Sequence, residues 1–250
     1  MAGQIDYAFL HGGGQGSWVW DETIAAMRQQ APEAIGRVLA LDVPGCGTKR
    51  ERETSTLGID DIATELLGDI VTAGLRDVVL VGHSQAGSVM PHLLTARPEL
   101  FSRAIYISCS IPLPGQTVVG MVGAGLHGAN PDEIGWPLDP ATHSMEERFK
   151  LMFCNDMSAA EERAFMAKLG ADAWPMTSYT HTDWRHEQLG AVPASYVLCL
   201  RDGILPVPWQ ERFAARFKTG RTIRIDAGHQ AMTTRPHGLA EILRFEAVAA

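Results

Sequence analysis

A chain of 250 residues, 46% hydrophobic and 20% charged, has the length and composition of one globular α/β domain with a sizeable core. No stretch approaches the roughly 20 uninterrupted apolar residues of a membrane span, and a net charge of −8 with one short basic run, Lys49-Arg50-Glu51-Arg52, leaves no electrostatic footprint for nucleic acid. Cys46, Cys109, Cys154 and Cys199 stand far apart with no histidine at metal-ligand spacing, which indicates neither a zinc site nor a disulfide framework.

The chain opens on Met1-Ala2-Gly3-Gln4-Ile5-Asp6, without the basic and long apolar regions of a secretory leader, so the expected compartment is the cytoplasm. Continuous apolar runs then recur at Tyr7–Leu10, Val38–Leu41, Val78–Val81, Ala104–Ile107 and Tyr196–Leu200. Such runs predict parallel strands covered on both faces. Between the second and third, Ile59, Ile62, Ala63, Leu66, Leu67, Ile70 and Val71 fall at helical spacing. Thr222–Ile225 alternates apolar and polar as a late or edge strand would, and Leu239, Ile242 and Leu243 mark a final helix. The fold class is therefore α/β, a mostly parallel, doubly wound sheet.

Residues 111–192 interrupt this alternation. They lack strand signals and carry two capping boxes, Ser144 with Glu147 and Ser158 with Glu161. The expectation is a core formed by 1–110 and 193–250 and an all-helical lid, since a structureless loop of that length is improbable in a compact domain.

The third strand runs into Gly82-His83-Ser84-Gln85-Ala86-Gly87 and then into a helix. That is the strand–turn–helix context of a nucleophile elbow, although Ala86 replaces the final glycine of G-x-S-x-G. A serine hydroxyl needs a base to attack, and the base needs a carboxylate to hold it. His229, in Asp226-Ala227-Gly228-His229 after a late strand, is the best placed of nine histidines; His143 and His237 follow no strand. Asp202 follows the strand ending at Leu200, and no Asp or Glu lies between Ile107 and Gln116, so Asp202 is the carboxylate. Directly after the first strand, His11-Gly12-Gly13-Gly14 supplies flexible backbone for an oxyanion hole, with the N–H groups of Gly13 and Gln85 as the donors. His11 itself reads as a structural hydrogen-bonding residue.

His11-Gly12, Trp18 to Trp20, Leu41-Asp42-Val43-Pro44-Gly45, Gly82-His83-Ser84, Asp202 and Gly228-His229 together resemble the α/β-hydrolase superfamily. Their spacing most resembles its branch of small plant-type methylesterases, hydroxynitrile lyases and bacterial carboxylesterases. The resemblance implies a cofactor-free serine hydrolase in which Ser84, His229 and Asp202 are catalytic and no metal takes part. The expected substrate is a small carboxylic ester or lactone with an apolar or aromatic group. Neither nucleic acid nor membrane is an expected partner, and a homodimer is left open.

Six of the ten methionines (Met121, Met145, Met152, Met157, Met166 and Met176) fall in the lid with many aromatics. Trp136, Phe149, Met152, Phe153, Trp174 and Trp184 are the candidates for lining a substrate pocket. His181, Asp183 and His186 fit no metal-ligand spacing and read as a solvated turn. Two alternatives stand beside the esterase. One is lyase or cofactor-free oxygenase chemistry on the same scaffold. In the resembling branch the lyase uses a hydroxyl and a lysine, where this chain has Gly12 and Gln230. The other is a receptor that binds a small ligand without turnover.

Overall fold

Six parallel strands form one sheet: β1 (Ile5–Leu10), β2 (Ile35–Leu41), β3 (Val78–His83), β4 (Phe101–Ile107), β5 (Ala194–Cys199) and β6 (Arg221–Ile225). Their spatial order is β2-β1-β3-β4-β5-β6. The computed structural model describes residues 3–249. Met1 and Ala2, part of the segment read for a leader, lie outside the described residues, as does Ala250.

Alternate strand residues feed two cores, as the period of two requires. Ala8, Leu10, Val78, Leu80, Tyr106 and Leu198 pack under α2 (Ile59–Thr72), α3 (Ala86–Ala96) and α8 (Val207–Arg216). Tyr7, Phe9, Val79, Val81, Ile105 and Val197 pack under α1 (Asp21–Gln30) and α10 (Pro236–Ala247), with the single turn α9 (Ala231–Thr234) beside them. Helix α2 buries Ile59, Ile62, Ala63, Leu66, Leu67 and Ile70, while Val71, assigned to the same stripe, is half exposed. Each fully buried aliphatic side chain of this kind contributes about 1.5–3 kcal/mol.

Between β4 and β5 lie α4 (Val118–Val122), α5 (Met145–Cys154), α6 (Ala159–Met166) and α7 (Thr177–Thr180). Both capping boxes form: the Ser144 and Ser158 hydroxyls accept the N–H groups of Glu147 and Glu161, and each glutamate accepts the N–H of its serine in return. The segment is not all helix. From residue 123 to 143 it is coil, closed by one parallel bridge between Leu126 and Trp136. Gly123, Gly128 and Gly135 take positive φ there, and Pro131, Pro137 and Pro140 cannot sit in a helix interior. Among the described residues no helix is long and apolar enough to cross a membrane.

Parallel pairing aligns the carboxyl ends of the strands: Leu10 faces Gly82, His83 faces Ile107, Ile107 faces Val197 and Cys199 faces Ile225. The residues that follow these ends share one edge of the sheet. This is where ligands bind in open α/β sheets.

Candidate active site

Ser84 turns the chain from β3 into α3 with φ of 55°, a left-handed conformation that side chains other than glycine adopt at a cost of about 1–2 kcal/mol. The neighbours over-determine it. Ser84 N–H donates to the Ile107 carbonyl at 3.1 Å, and the Ser84 carbonyl accepts from Gly87 and Ser110 N–H, both at 3.2 Å. A Cβ on Gly82 would strike the Met90 sulfur, and one on Gly87 would sit 2.5 Å from the Ser110 carbonyl. The two tight approaches therefore fall on Gly82 and Gly87. Ala86, between them, buries its methyl completely without displacing the turn.

Asp202 and His229 meet with side chains that are both wholly buried, His229 Nδ1–H donating to Asp202 Oδ2 at 2.7 Å. Asp202 Oδ1 accepts the N–H groups of Ile204 and Leu205 at 2.7 and 2.8 Å. Oδ2 also accepts the Ser108 hydroxyl at 2.5 Å. Four donors converge on one carboxylate, which fixes its orientation as well as its charge. The opposite ring nitrogen, His229 Nε2, is buried and has no hydrogen-bond partner among the described residues. His83 supports the loop from beneath: its Nε2–H donates to the His229 carbonyl at 2.9 Å, and the rings lie 4.5 Å apart. Burial, reinforced by the neighbouring His229, holds His83 well below the usual histidine range and so neutral.

The glycine loop closes on the elbow from the β1 side. A Cβ on Gly12 would lie 2.9 Å from Ser84 Cβ and 3.0 Å from His83 Nδ1, so only glycine lets the loop approach this closely. Neither the Gly13 nor the Gln85 N–H donates a backbone hydrogen bond among the described residues, and both residues line one cavity with Ser84. The Gln85 side chain folds over Gly13 and donates to Ser178 Oγ at 3.2 Å, with the Tyr179 hydroxyl beside it. His11 has a structural place, its Nε2 accepting the Val43 N–H at 3.2 Å and its Nδ1–H meeting the Gly12 carbonyl at 2.8 Å.

The cavity measures about 290 Å³ and is walled chiefly by Val118, Val122, Ile134, Phe149, Met152 and Ile204, with Trp136, Phe153, Leu169 and Leu205 completing it. No charged side chain lines it; Ser84, Gln85, Ser110 and Tyr179 are its polar groups. Trp136, Phe149, Met152 and Phe153 thus stand where the sequence suggested. Trp174 and Trp184 do not. Both are buried outside the cavity lining, with their indole N–H groups taken by backbone carbonyls: Trp174 donates to the Gly12 carbonyl at 3.1 Å and Trp184 to the Gln116 carbonyl at 2.7 Å. Of the six insertion methionines only Met152 reaches the cavity wall. Ser108, Tyr179 and the supporting His83 escaped the sequence reading. Ser108 occupies the position just after β4, where a serine carries none of the signal that a carboxylate would.

His181 Nε2 bonds the Asp183 carbonyl at 2.7 Å and its ring packs edge-on against Trp184. Among the described residues no three His, Cys, Asp or Glu side chains converge as metal ligands. All four cysteines are buried and unpaired.

A parallel sheet wound on both faces, with a strained serine, a buried histidine–carboxylate pair and a glycine loop at its carboxyl edge, defines the α/β-hydrolase class. The chain belongs to the alpha/beta hydrolase family, whose model matches residues 8–242. It is similar to Methylesterase 2 of Arabidopsis thaliana, 22% identical over 255 residues that cover 95% of this chain and 94% of that protein. It is also similar to a carbendazim hydrolyzing esterase of a Nocardioides species, 22% identical over 249 residues covering 95% and 98% of the two chains. Among solved structures, an extracellular alpha/beta-hydrolase from a Paenibacillus species superposes with a TM-score of 0.77 at 22% identity, over 97% of this chain and 98% of that one.

Proposed function

We propose that this protein is a carboxylic ester hydrolase that forms an acyl-enzyme on Ser84, with His229 as base and Asp202 orienting it. Residues 111–192 act as the lid in this reading. The observation that carries it is the unpartnered Nε2 of a wholly buried His229, oriented by Asp202, at the same sheet edge as a strained serine that opens into an apolar cavity. The esterase names of full-length relatives support the same chemistry.

In the proposed reaction Ser84 Oγ attacks the ester carbonyl as His229 Nε2 takes its proton. The carbonyl oxygen gains negative charge and is received by the Gly13 and Gln85 N–H groups, a contribution of about 3–4 kcal/mol per donor in comparable sites. Collapse of this intermediate expels the alkoxide, which takes the proton from His229. Water, deprotonated by His229, then releases the acid and restores Ser84. The substrate is a neutral ester or lactone with a bulky apolar or aromatic group, because an uncharged, largely apolar wall offers a carboxylate or ammonium nothing to replace its hydration.

The test is a fluorophosphonate probe followed by peptide mass spectrometry, alongside a panel of short and long p-nitrophenyl esters and lactones. Labelling at Ser84 and turnover of at least one ester, both abolished in Ser84→Ala, are the expected results. A wild-type protein that neither labels nor turns over any of the panel would instead be a binding protein.

A further inference from the structure

Helix α5 does more than wall the cavity. The Leu151 carbonyl lies against Gly203, the residue after Asp202, so closely that a Cβ on Gly203 would strike it. Asn155, just past the helix end, donates from Nδ2 to the carbonyl of Arg201, the residue before Asp202, at 2.6 Å. Asp156 Oδ2 accepts the N–H of Gly228, the residue before His229, at 2.8 Å, and the Thr234 hydroxyl at 2.9 Å. A Cβ on Gly228 would fall 2.5 Å from Asp156 Oδ1 and nearer still to Asn155 Oδ1. The Asp156 side chain is 1% exposed, with guanidinium nitrogens of Arg201 and Arg235 each 3.8 Å away. Phe153, one turn earlier, sets its ring edge-on to His229 at 5.8 Å.

We propose that Asn155 and Asp156 are positioning residues for the Asp202–His229 pair, an assignment that rests on that pair being the acid–base couple of the proposed reaction. The last backbone bonds between the two chain segments are Leu200 N–H to Ile225 and Arg201 N–H to Ala227. Beyond them the segments run into separate loops, and it is in those loops that Asp202 and His229 stand. Nothing in the β5–β6 ladder holds the 2.7 Å contact between their side chains. The Asn155–Asp156 dipeptide does, gripping the carbonyl of the residue before Asp202 and the N–H of the residue before His229. Gly203 and Gly228 are glycines because the helix and the dipeptide leave no space for a side chain. The insertion is thereby part of the machinery that aligns the base, as well as the wall of the cavity.

The experiment compares Asp156→Ala, Asp156→Asn and Asn155→Ala in the full chain. Its readouts are kcat and KM for a short p-nitrophenyl ester, the rate of fluorophosphonate labelling of Ser84, the melting temperature, and the downfield NMR resonance of the His229 Nδ1 proton. Because a displacement of reacting groups by about 1 Å can cost about a hundredfold, Asp156→Ala is expected to lower kcat about tenfold to a hundredfold while KM stays within about twofold. Labelling slows in proportion. Asp156→Asn keeps an acceptor for Gly228 N–H and restores most of the rate. Asn155→Ala, which frees only the Arg201 carbonyl, gives a smaller loss with the fold intact. The Nδ1 proton resonance weakens in Asp156→Ala and persists in Asp156→Asn. A folded Asp156→Ala with wild-type kcat, a loss confined to KM, or an unchanged resonance overturns the proposal. If the wild-type protein neither labels nor hydrolyses any ester, the proposed function fails by itself, and the resonance still decides whether the dipeptide holds the pair.

Discussion

Replacing Asp202 with asparagine exchanges one oxygen for an NH2 group, and the geometry around it dictates which one. Oδ1 accepts the Ile204 and Leu205 N–H groups, so that position must remain an oxygen; an NH2 there would face two donors. The new amide nitrogen is forced to the place of Oδ2, opposite the Ser108 hydroxyl and His229 Nδ1. The hydroxyl can rotate and accept. Nδ1 can accept only as a bare nitrogen, which moves the ring proton to Nε2, the atom that receives the proton of Ser84 in the proposed reaction. Restoring the working tautomer forfeits a charge-assisted hydrogen bond, about 1.5–3 kcal/mol, and leaves a buried donor unsatisfied, about 1–3 kcal/mol. The sum of roughly 2.5–6 kcal/mol corresponds to a fall in kcat of about seventyfold to twenty-five-thousandfold, at about 1.36 kcal/mol per decade. The assay is kcat on the best ester of the panel, with circular dichroism to establish the fold and fluorophosphonate labelling to read Ser84 directly. A folded Asp202→Asn within threefold of wild type would refute the tautomer argument and take Asp202 out of the triad.

Stability should fall on mild acidification. His11, His83, His92 and His186 are all held below the usual histidine range, in each case chiefly by burial. Below a pH of about 6.5 the unfolded chain takes up protons that the folded chain refuses, so stability is complete above that pH and declines beneath it, by up to about 1.4 kcal/mol per pH unit for each such proton. Melting temperatures measured between pH 7.5 and 5.5 check this, and a transition that stays level or rises toward acid would contradict it. For the lyase alternative, a side chain at Gly12 has no room beside Ser84 and His83, and no cation lines the cavity to receive cyanide. Mandelonitrile cleavage is therefore expected at background rate; release of cyanide well above background without turnover of any ester would reverse the choice of reaction.

The fold and the triad candidates were legible for one shared reason. A strand covered on both faces announces itself as an unbroken apolar run, as at Val78–Val81, and the residue just past its carboxyl end is then placed without further information. Ser84, Asp202 and His229 all stand in that relation to a strand, so their placement at one edge of the sheet followed once the strands were assigned. The cavity wall had no comparable signal. The insertion's helices are short, and its aromatics serve cavity and core alike; whether an indole faces the ligand or hides beside it depends on which carbonyl its N–H finds. Trp136 donates to the Gly123 carbonyl and still presents its ring to the cavity, whereas Trp174 is held beneath the glycine loop by its bond to the Gly12 carbonyl.

The contact between the insertion and the loops of Asp202 and His229 was not legible for a related reason. Asp156, read locally, is one more polar residue after a helix end. Its partners, Gly228 and Thr234, lie 72 and 78 residues downstream, beyond any periodicity. The trace left in the sequence was glycine: Gly203 follows Asp202 and Gly228 precedes His229, and neither takes a positive φ. A glycine whose backbone dihedrals any residue could adopt is there for space, and beside these two the space is filled by the Leu151 carbonyl and by Asn155 and Asp156. The dependence that we propose of the Asp202–His229 pair on the insertion thus has its mark at two flanking positions, as an absence of side chains that the packing explains.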